Sequence, residues 1–246
     1  MRIRGGSVIT DVGIDMDGVI YDFAKVFHAY AQTKMGKELP LPTTWDFYKE
    51  WGLTDQQFDE WLVEGVQKAQ LFNCDAPMDN TVEGWNLLKE NDIKIHLLTH
   101  RGSVSYEQTI HWLERFGFYP DSLHFGTNKG ILKAFATDEC AAIDDYPLYY
   151  TQYDRAGVIS FLRTQPWNEQ VYARRVTDLL DFAKKVVTIN EAQKVLIELP
   201  VAPKSKSHII WEPNKNPTST YTQPYKDTNP HAKKSTKWTW PNDNYR

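Results

Sequence analysis

The chain has 246 residues, enough for one large domain or one domain with an insertion. Lys and Arg number 28 against 32 Asp and Glu, a formal charge of −4, which excludes an overall basic nucleic-acid coat and a strongly acidic disordered chain. A hydrophobic fraction of 41% suffices for a sizeable core, and no apolar run approaches the ~18 residues of a membrane span.

From Met1 to Thr10 there are two arginines but no apolar stretch of signal-peptide length before Asp11. Cys74 and Cys140 are the two cysteines, and neither has a Cys or His partner at zinc-ligand spacing. Two thiols without a disulfide framework suit a reducing compartment, so a cytoplasmic location is expected. Val8 to Ile14 is a short apolar run that ends at a polar cluster, the pattern of a buried parallel strand. Phe23, Val26, Phe27 and Tyr30 follow at helical spacing. Pro40, Pro42 and the aromatic segment Trp45 to Trp51 separate this helix from the next. Thr54 with Gln57 has the form of a capping box ahead of the stripe Phe58, Trp61, Leu62 and Val66. Val82, Trp85 and Leu88 mark a third helix, and Ile93 to Leu98 a strand. Ser105 with Gln108 is expected to cap a helix carrying Ile110, Leu113 and Phe116, closed by Gly117. Ser122 to Phe125, Ala141 to Ile143 and Val158 to Leu162 are expected strands. Leu179 to Val187 is a closing helix.

Strands spaced by helices of this length predict an α/β protein: a Rossmann-like parallel sheet with helices on both faces. The helical block between strand one and the next strand is too long for a simple crossover and is read as a small inserted cap. The expected organisation is a core of residues 1–23 and 79–188, a helical cap of 24–78, and a C-terminal helix with an extended tail over 189–246. Residues 201–246 carry 8 Lys/Arg, 3 Asp/Glu, 6 of the 13 prolines and 15 Ser, Thr or Asn. Their net charge is +5 against −9 for the rest. Such a stretch buries little apolar area against its ordering entropy, although Trp211, Trp238, Trp240, Tyr221, Tyr225 and Tyr245 are available as anchors.

Ligands of an open parallel sheet sit at the carboxyl ends of its strands. Those ends here read Asp15-Met16-Asp17-Gly18-Val19, Leu97-Leu98-Thr99-His100-Arg101, Lys129 after the Leu123–Phe125 strand, and Ile143-Asp144-Asp145. Asp15 and Asp17 are two apart, so an extended backbone points both to one side. With Asp144 or Asp145 they make a compact set of oxygen ligands that suits Mg²⁺ and a substrate phosphate. Without a cation such carboxylates repel each other and a phosphate alike. Lys129 offers a positive charge and Thr99 a hydroxyl donor for the phosphate oxygens. Gly18 lets backbone approach the ligand. Asp15 is placed to attack phosphorus, and Asp17 to act as acid and then base. His100 and Arg101 are surface groups or contacts to phosphate or ribose.

These four pieces, in this order, resemble the haloacid dehalogenase superfamily over roughly residues 8–188. Asp17 stands where dehalogenases of that superfamily lack an aspartate, which points to phosphoryl transfer. Asp15-Met16-Asp17-Gly18-Val19-Ile20-Tyr21-Asp22-Phe23 more closely resembles the D-x-D-G-V-x-x-D-F signature of the 5′(3′)-deoxyribonucleotidases. Trp112-Leu113-Glu114-Arg115-Phe116-Gly117 is similar to their helix before the lysine loop. The resemblance implies Asp15 as nucleophile, Asp17 as acid/base, and Thr99 and Lys129 holding phosphate; His100 and Gly18 are further candidates beside the phosphate. It implies Mg²⁺ on Asp15, the Asp17 carbonyl and one of Asp144 and Asp145, with Asp145 favoured. Phe23 falls where that family sets a ring against the base, and Trp45, Phe47 and Trp51 are candidate base-stacking rings. The chain departs from the family's Thr-Ser with Thr99-His100-Arg101. A nucleotide or other small phosphate ester is the implied partner, with a homodimer as a further implication and no membrane.

Plainer roles compete. Asp15 to Gly18 and Asp144 to Pro147 can be turns, Lys129 a solvated lysine, Phe23 core, and Trp45 cap packing. Lys133 rivals Lys129 but would lie inside a helix instead of in the loop before it. The rival functions are a phosphatase for another ester, such as a sugar phosphate or polynucleotide 3′-phosphate, and a non-catalytic protein that binds partners, nucleic acid among them, through the tail.

Overall fold

The computed structural model describes residues 8–126, Lys129, Leu132 and 139–198. Within them six strands form one parallel sheet: β1 (Ile9–Ile14), β2 (Lys94–Thr99), β3 (Ser122–Phe125), β4 (Glu139–Asp144), β5 (Ile159–Arg163) and β6 (Arg175–Val176). Their order is β3-β2-β1-β4-β5-β6, and every pairing is parallel. The chain steps outward from β1 to β2 and β3, then returns to β4 on the other side of β1. That reversal opens a crevice beyond the carboxyl ends of β1 and β4.

Central strands of a parallel sheet are covered on both faces, which is why their sequences are almost wholly apolar. Val12, Ile14, Ile95, Leu97, Ala141 and Ile143 point to one core. That core also holds Trp85 and Leu88 of α4 (Thr81–Glu90) and Phe182 and Val186 of α7 (Leu179–Glu198). Leu98, Cys140 and Ala142 point to a second core with Leu132 and with Tyr149 and Tyr153 of α6 (Pro147–Arg155). Period-two alternation along each strand sorts these residues to opposite faces. Gly84 lets α4 cross closely over α7, because a Cβ there would stand 2.6 Å from the Leu179 carbonyl carbon. Both side-chain amide groups of the buried Asn190 bond the main chain of Ile9, tying α7 to the start of β1. A polar line, Asp11 to His96 to Ser122 to His124, links β1, β2 and β3 near their amino ends.

Three helices lie between β1 and α4: α1 (Phe23–Met35), α2 (Phe47–Glu50) and α3 (Asp55–Ala69). Asp22 caps α1 by accepting from the Lys25 amide, and Gly36 ends it in the left-handed region. Thr54 and Gln57 form the expected capping box of α3. The aromatic segment packs this block from within. Phe27 meets Phe58 at 4.9 Å between centroids and Phe47 meets Trp51 at 5.0 Å. Trp51 is buried and donates its indole N–H to the Pro40 carbonyl, so it fills core.

Several expectations need correction. Ser105 ends a short 3-10 turn (Ser103–Ser105) ahead of α5 (Tyr106–Arg115) and makes no side-chain cap; its hydroxyl donates to the Gly102 carbonyl. Gln108 is drawn away by a stronger demand. Its amide accepts from Phe72 N at 3.1 Å and donates to the Val66 carbonyl, two main-chain groups of the insert that burial would otherwise leave unsatisfied. Pro147 opens α6 at its first turn, where a missing N–H costs nothing. α7 runs unbroken across the boundary expected at residue 188. The segment expected as a tail beyond residue 200, and Lys133, lie outside the described residues. Among the described residues no helix is long and apolar enough to cross a membrane.

Gln108 is thus a polar rivet between α5 and the inserted helices. Replacing it with Ala leaves two buried main-chain groups without partners and is expected to lower stability by about 3 kcal/mol. Urea unfolding checks this, and a loss under about 0.5 kcal/mol would contradict it.

Candidate active site

The site forms where β1 and β4 end. Asp15 follows β1 directly, and its amide donates to the Ile143 carbonyl at 3.1 Å, which locks the two strand ends together. Asp144 closes β4 and Asp145 follows it. One carboxylate oxygen from each of Asp15, Asp144 and Asp145 lies within 4.8 Å of the others, and all three residues are buried. Lys129 reaches into this cluster. Its Nζ donates to Asp15 Oδ1 and, at 2.9 Å, to Asp144 Oδ2. Asp144 Oδ1 also accepts from the Tyr146 amide at 2.9 Å. The ammonium lies 4.3 Å from the Tyr149 ring centroid, so an aromatic face supports the charge from the side.

The electrostatics follow from burial. Burial pushes the Asp15 carboxyl up to about 7; Lys129 opposes the shift, and Asp144 and Asp17 add to it. Burial also raises Asp144, against the pull of Lys129. Asp145 is held well above the usual carboxylate range by burial and by the neighbouring charges of Asp15 and Asp144. Burial disfavours the charge of Lys129, but Asp144 and Asp15 outweigh it and hold its pKa well above the ordinary value.

One lysine therefore faces three buried carboxylates and donates to two of them. Asp145 is left against like charge. A hard divalent cation meeting Asp145 and Asp15 would supply the missing positive charge, and an all-oxygen donor set suits Mg²⁺. The residues present fit such an ion.

Gly18 sits on the far side of Asp145. Its φ is +77°, and a Cβ would stand 2.1 Å from Asp145 Oδ2, so only glycine fits this turn. Its carbonyl accepts from Arg163 Nη1 and, at 2.8 Å, from Gln165 Nε2. Asn168 anchors the opposite side by donating to the main-chain carbonyls of Asp145 and Arg163.

Asp17 is not one of the three clustered carboxylates, though it lines the same cavity. Arg101 holds it in a two-pronged ion pair, Nε to Oδ2 at 2.9 Å and Nη2 to Oδ1 at 2.6 Å. Thr99 is fully buried, and its hydroxyl accepts from the Arg101 amide at 3.2 Å, so it is not on the cavity wall. The hydroxyl's own proton is not used in that bond, so its donor capacity remains. His100 does line the cavity. Tyr149 Oη bonds its Nδ1 at 2.9 Å, and burial followed by the Lys129 charge depresses its pKa.

These groups open on a cavity of about 310 Å³. Asp15, Asp17, Gly18, His100, Lys129, Asp144 and Asp145 line its polar end. Phe23, Trp45, Phe47, Tyr48, Phe58 and Phe72 line the rest. Phe23 stacks on Phe72 at 5.5 Å and 14°. Trp45, from the insert, stacks on Tyr146 at 3.9 Å and 18° and meets Trp167 edge-on at 6.4 Å. The structure thus brings Asp15, Asp17, Gly18, His100, Lys129, Asp144, Asp145, Phe23 and Trp45 to one cavity. It leaves Thr99 behind the wall and Trp51 in the core. The sequence reading missed Tyr149, Asn168 and the buried placement of Arg101. Arg101 carried a usable signal, since it lies two residues beyond a strand end that also offers Thr99.

No protein-family profile and no curated protein matches the chain. Solved structures do. A predicted phosphatase from Clostridium acetobutylicum superposes with a TM-score of 0.55 at 16% identity, covering 74% of this chain and 100% of that one. A haloacid dehalogenase superfamily hydrolase of subfamily IA from Geobacter sulfurreducens gives 0.54 at 14% identity, over 74% and 99%. A Thermotoga maritima protein described as a β-phosphoglucomutase candidate gives 0.54 at 15%, over 74% and 100%. The fold is therefore haloacid dehalogenase-like.

The buried carboxylates give a pH signature in metal-free protein. An unfolded aspartate titrates near ~4, and Asp15 in the fold near about 7, so the folded state binds more protons between those values. Stability contributed by this cluster falls as pH rises from about 4 to about 7. Asp145 shifts in the same direction. In chelator, Asp145→Asn should lessen the drop in urea midpoint between pH 5 and pH 7; an unchanged drop would contradict this electrostatic picture.

Proposed function

We propose that the protein is a Mg²⁺-dependent phosphomonoester hydrolase acting through Asp15, and that its substrates are (deoxy)ribonucleoside 5′-monophosphates. The observation that carries the reaction class is the meeting of Asp15, Lys129, Asp144 and Asp145 at the ends of β1 and β4. A haloacid dehalogenase-like fold, with one neighbour described as a predicted phosphatase and another as a hydrolase, supports it.

Asp15 is the nucleophile. Its carboxylate oxygen bonds to phosphorus as the bond to the leaving oxygen breaks, and that oxygen takes a proton from Asp17. In the second step Asp17 accepts a proton from water, the water oxygen bonds to phosphorus, and the bond to Asp15 breaks. Lys129 offsets negative charge on Asp15 and on the phosphoryl oxygens. His100 lines the same end and offers a further polar contact to phosphate. Asp15 and Asp145, with Asp144 adjacent, would hold Mg²⁺, which would supply charge neutralisation for a phosphate beside buried carboxylates. The side chain of Asp17 is engaged by Arg101, so Asp17 would meet the metal through its carbonyl.

The nucleotide assignment rests on the wall opposite the carboxylates. A base needs flat apolar faces, and Phe23, Phe72 and Trp45 offer them within the same cavity. The D-x-D-G-V-x-x-D-F resemblance at Asp15 to Phe23 points the same way. The inserted helices α1–α3 act as a cap that bears on the leaving group.

Asp15→Asn is expected to remove turnover of p-nitrophenyl phosphate to background while leaving the far-ultraviolet circular dichroism unchanged; retained turnover in purified variant would overturn the mechanism. Activity should vanish in chelator and return with Mg²⁺. A panel of nucleotides, sugar phosphates and 3′-phosphorylated oligonucleotides tests the substrate. The highest kcat/KM should fall on a nucleoside 5′-monophosphate, and a tenfold preference for a sugar phosphate would remove that part of the assignment.

A further inference from the structure

Arg101 has no role in the chemistry described so far, yet it is among the most tightly held side chains at the site. Its guanidinium is 1% exposed although it belongs to a cavity wall. Nε and Nη2 are committed to the two oxygens of Asp17, and Nη1 donates to Thr109 Oγ1 at 3.0 Å. Thr109 in turn donates to the Ser105 carbonyl, so the anchor runs into the first turn of α5. Its amide is fixed by Thr99 Oγ1. The rings of Tyr21 and Phe72 stand 5.0 and 4.3 Å from Cζ. A flat, delocalised cation supported by rings and engaged by a carboxylate fork has one preferred orientation. These contacts face Asp17, not the open cavity.

A carboxylate on a flexible loop would sample several rotamers. Here both Asp17 oxygens are acceptors in one fixed geometry, while the side chain remains 28% exposed toward the cavity. Each carboxylate oxygen has two lone-pair directions, so an oxygen that accepts from Arg101 can still accept from water. Asp17 lies close enough to Asp15 and Asp145 for its charge to act on both.

We propose that Arg101 is the positioning residue for Asp17, fixing it as the oriented proton acceptor of the hydrolytic half-reaction. This rests on the aspartyl-phosphate reading above. In that half-reaction a water O–H breaks and its oxygen bonds to phosphorus. The phosphorus bond to Asp15 Oδ breaks and its electron pair returns to the carboxylate, while the proton passes to an Asp17 oxygen. Orientation of such an acceptor is a large part of its effect, and general base catalysis contributes roughly 10²–10⁴-fold. Phosphorylation of Asp15 by an aryl phosphate needs little from Asp17, because p-nitrophenolate leaves without a proton. Losing Arg101 therefore slows the second step more than the first.

Stopped-flow turnover of p-nitrophenyl phosphate by wild type, Arg101→Met and Arg101→Lys tests this. Arg101→Met should give a burst of about one p-nitrophenolate per chain, followed by a steady state at least tenfold slower than wild type, with KM falling alongside kcat. Arg101→Lys restores one donor and should recover part of the steady-state rate. Thr109→Val, which keeps Arg101 but removes an anchor, should shift the balance the same way to a smaller degree and serves if Arg101→Met does not fold. A raised KM with unchanged kcat would make Arg101 a phosphate ligand and overturn the proposal. So would a slowed steady state with no burst in both Arg101→Met and Thr109→Val. Wild type with no turnover of any phosphate ester would instead remove the phosphatase reading, and this inference with it.

Discussion

The central constraint is one lysine among three buried carboxylates. Lys129 donates to Asp15 and Asp144 and stands over the Tyr149 ring, while Asp145 meets the like charges of Asp15 and Asp144. Buried ion pairs are weak sources of stability, because desolvation offsets the attraction. An excess of buried negative charge is worse still. A cation would offset such a cluster, and the strand ends of β1 and β4 bring Asp15, Asp144 and Asp145 to the crevice that the sheet topology opens.

The rest of the architecture can be read as support for this point. The Asp15 amide ties β1 to β4, Asn168 holds the Asp145 carbonyl, and Gly18 leaves room for the Asp145 carboxylate. Arg101 pairs with Asp17, so four carboxylates share one site without all depending on Lys129. The apolar insert closes the remaining side with aromatic rings. Gln108 fastens the segment around Val66 and Phe72 to α5 through two main-chain bonds, so that attachment and the Arg101 anchor at Thr109 use the same helix.

Much of this was legible in the chain. The strands announced themselves as short apolar runs, since a central parallel strand has no polar face to show. The Thr54 and Gln57 capping box was legible because its partners are three residues apart. What was not legible depends on distant partners. Gln108 looked like a capping residue until Phe72 and Val66 claimed it. The bond from the Arg101 amide to the Thr99 hydroxyl, two residues apart, also needed the backbone turn to be seen. Arg101 looked like a surface group, because neither Asp17, 84 positions away, nor the rings of Tyr21 and Phe72 can be placed beside it by local pattern. β6, with two residues, carries too little pattern to be seen. The aspartates were found because each stands at the end of a readable strand.

The account's central claim is that Asp15 itself takes the phosphoryl group. Acid quench during turnover of a phosphate ester, followed by peptide mapping, tests it most directly. Phosphate should appear on the peptide containing Asp15, on its carboxylate. Steady turnover with no covalent phosphate at residue 15, under conditions where Arg101→Met also traps none, would contradict it.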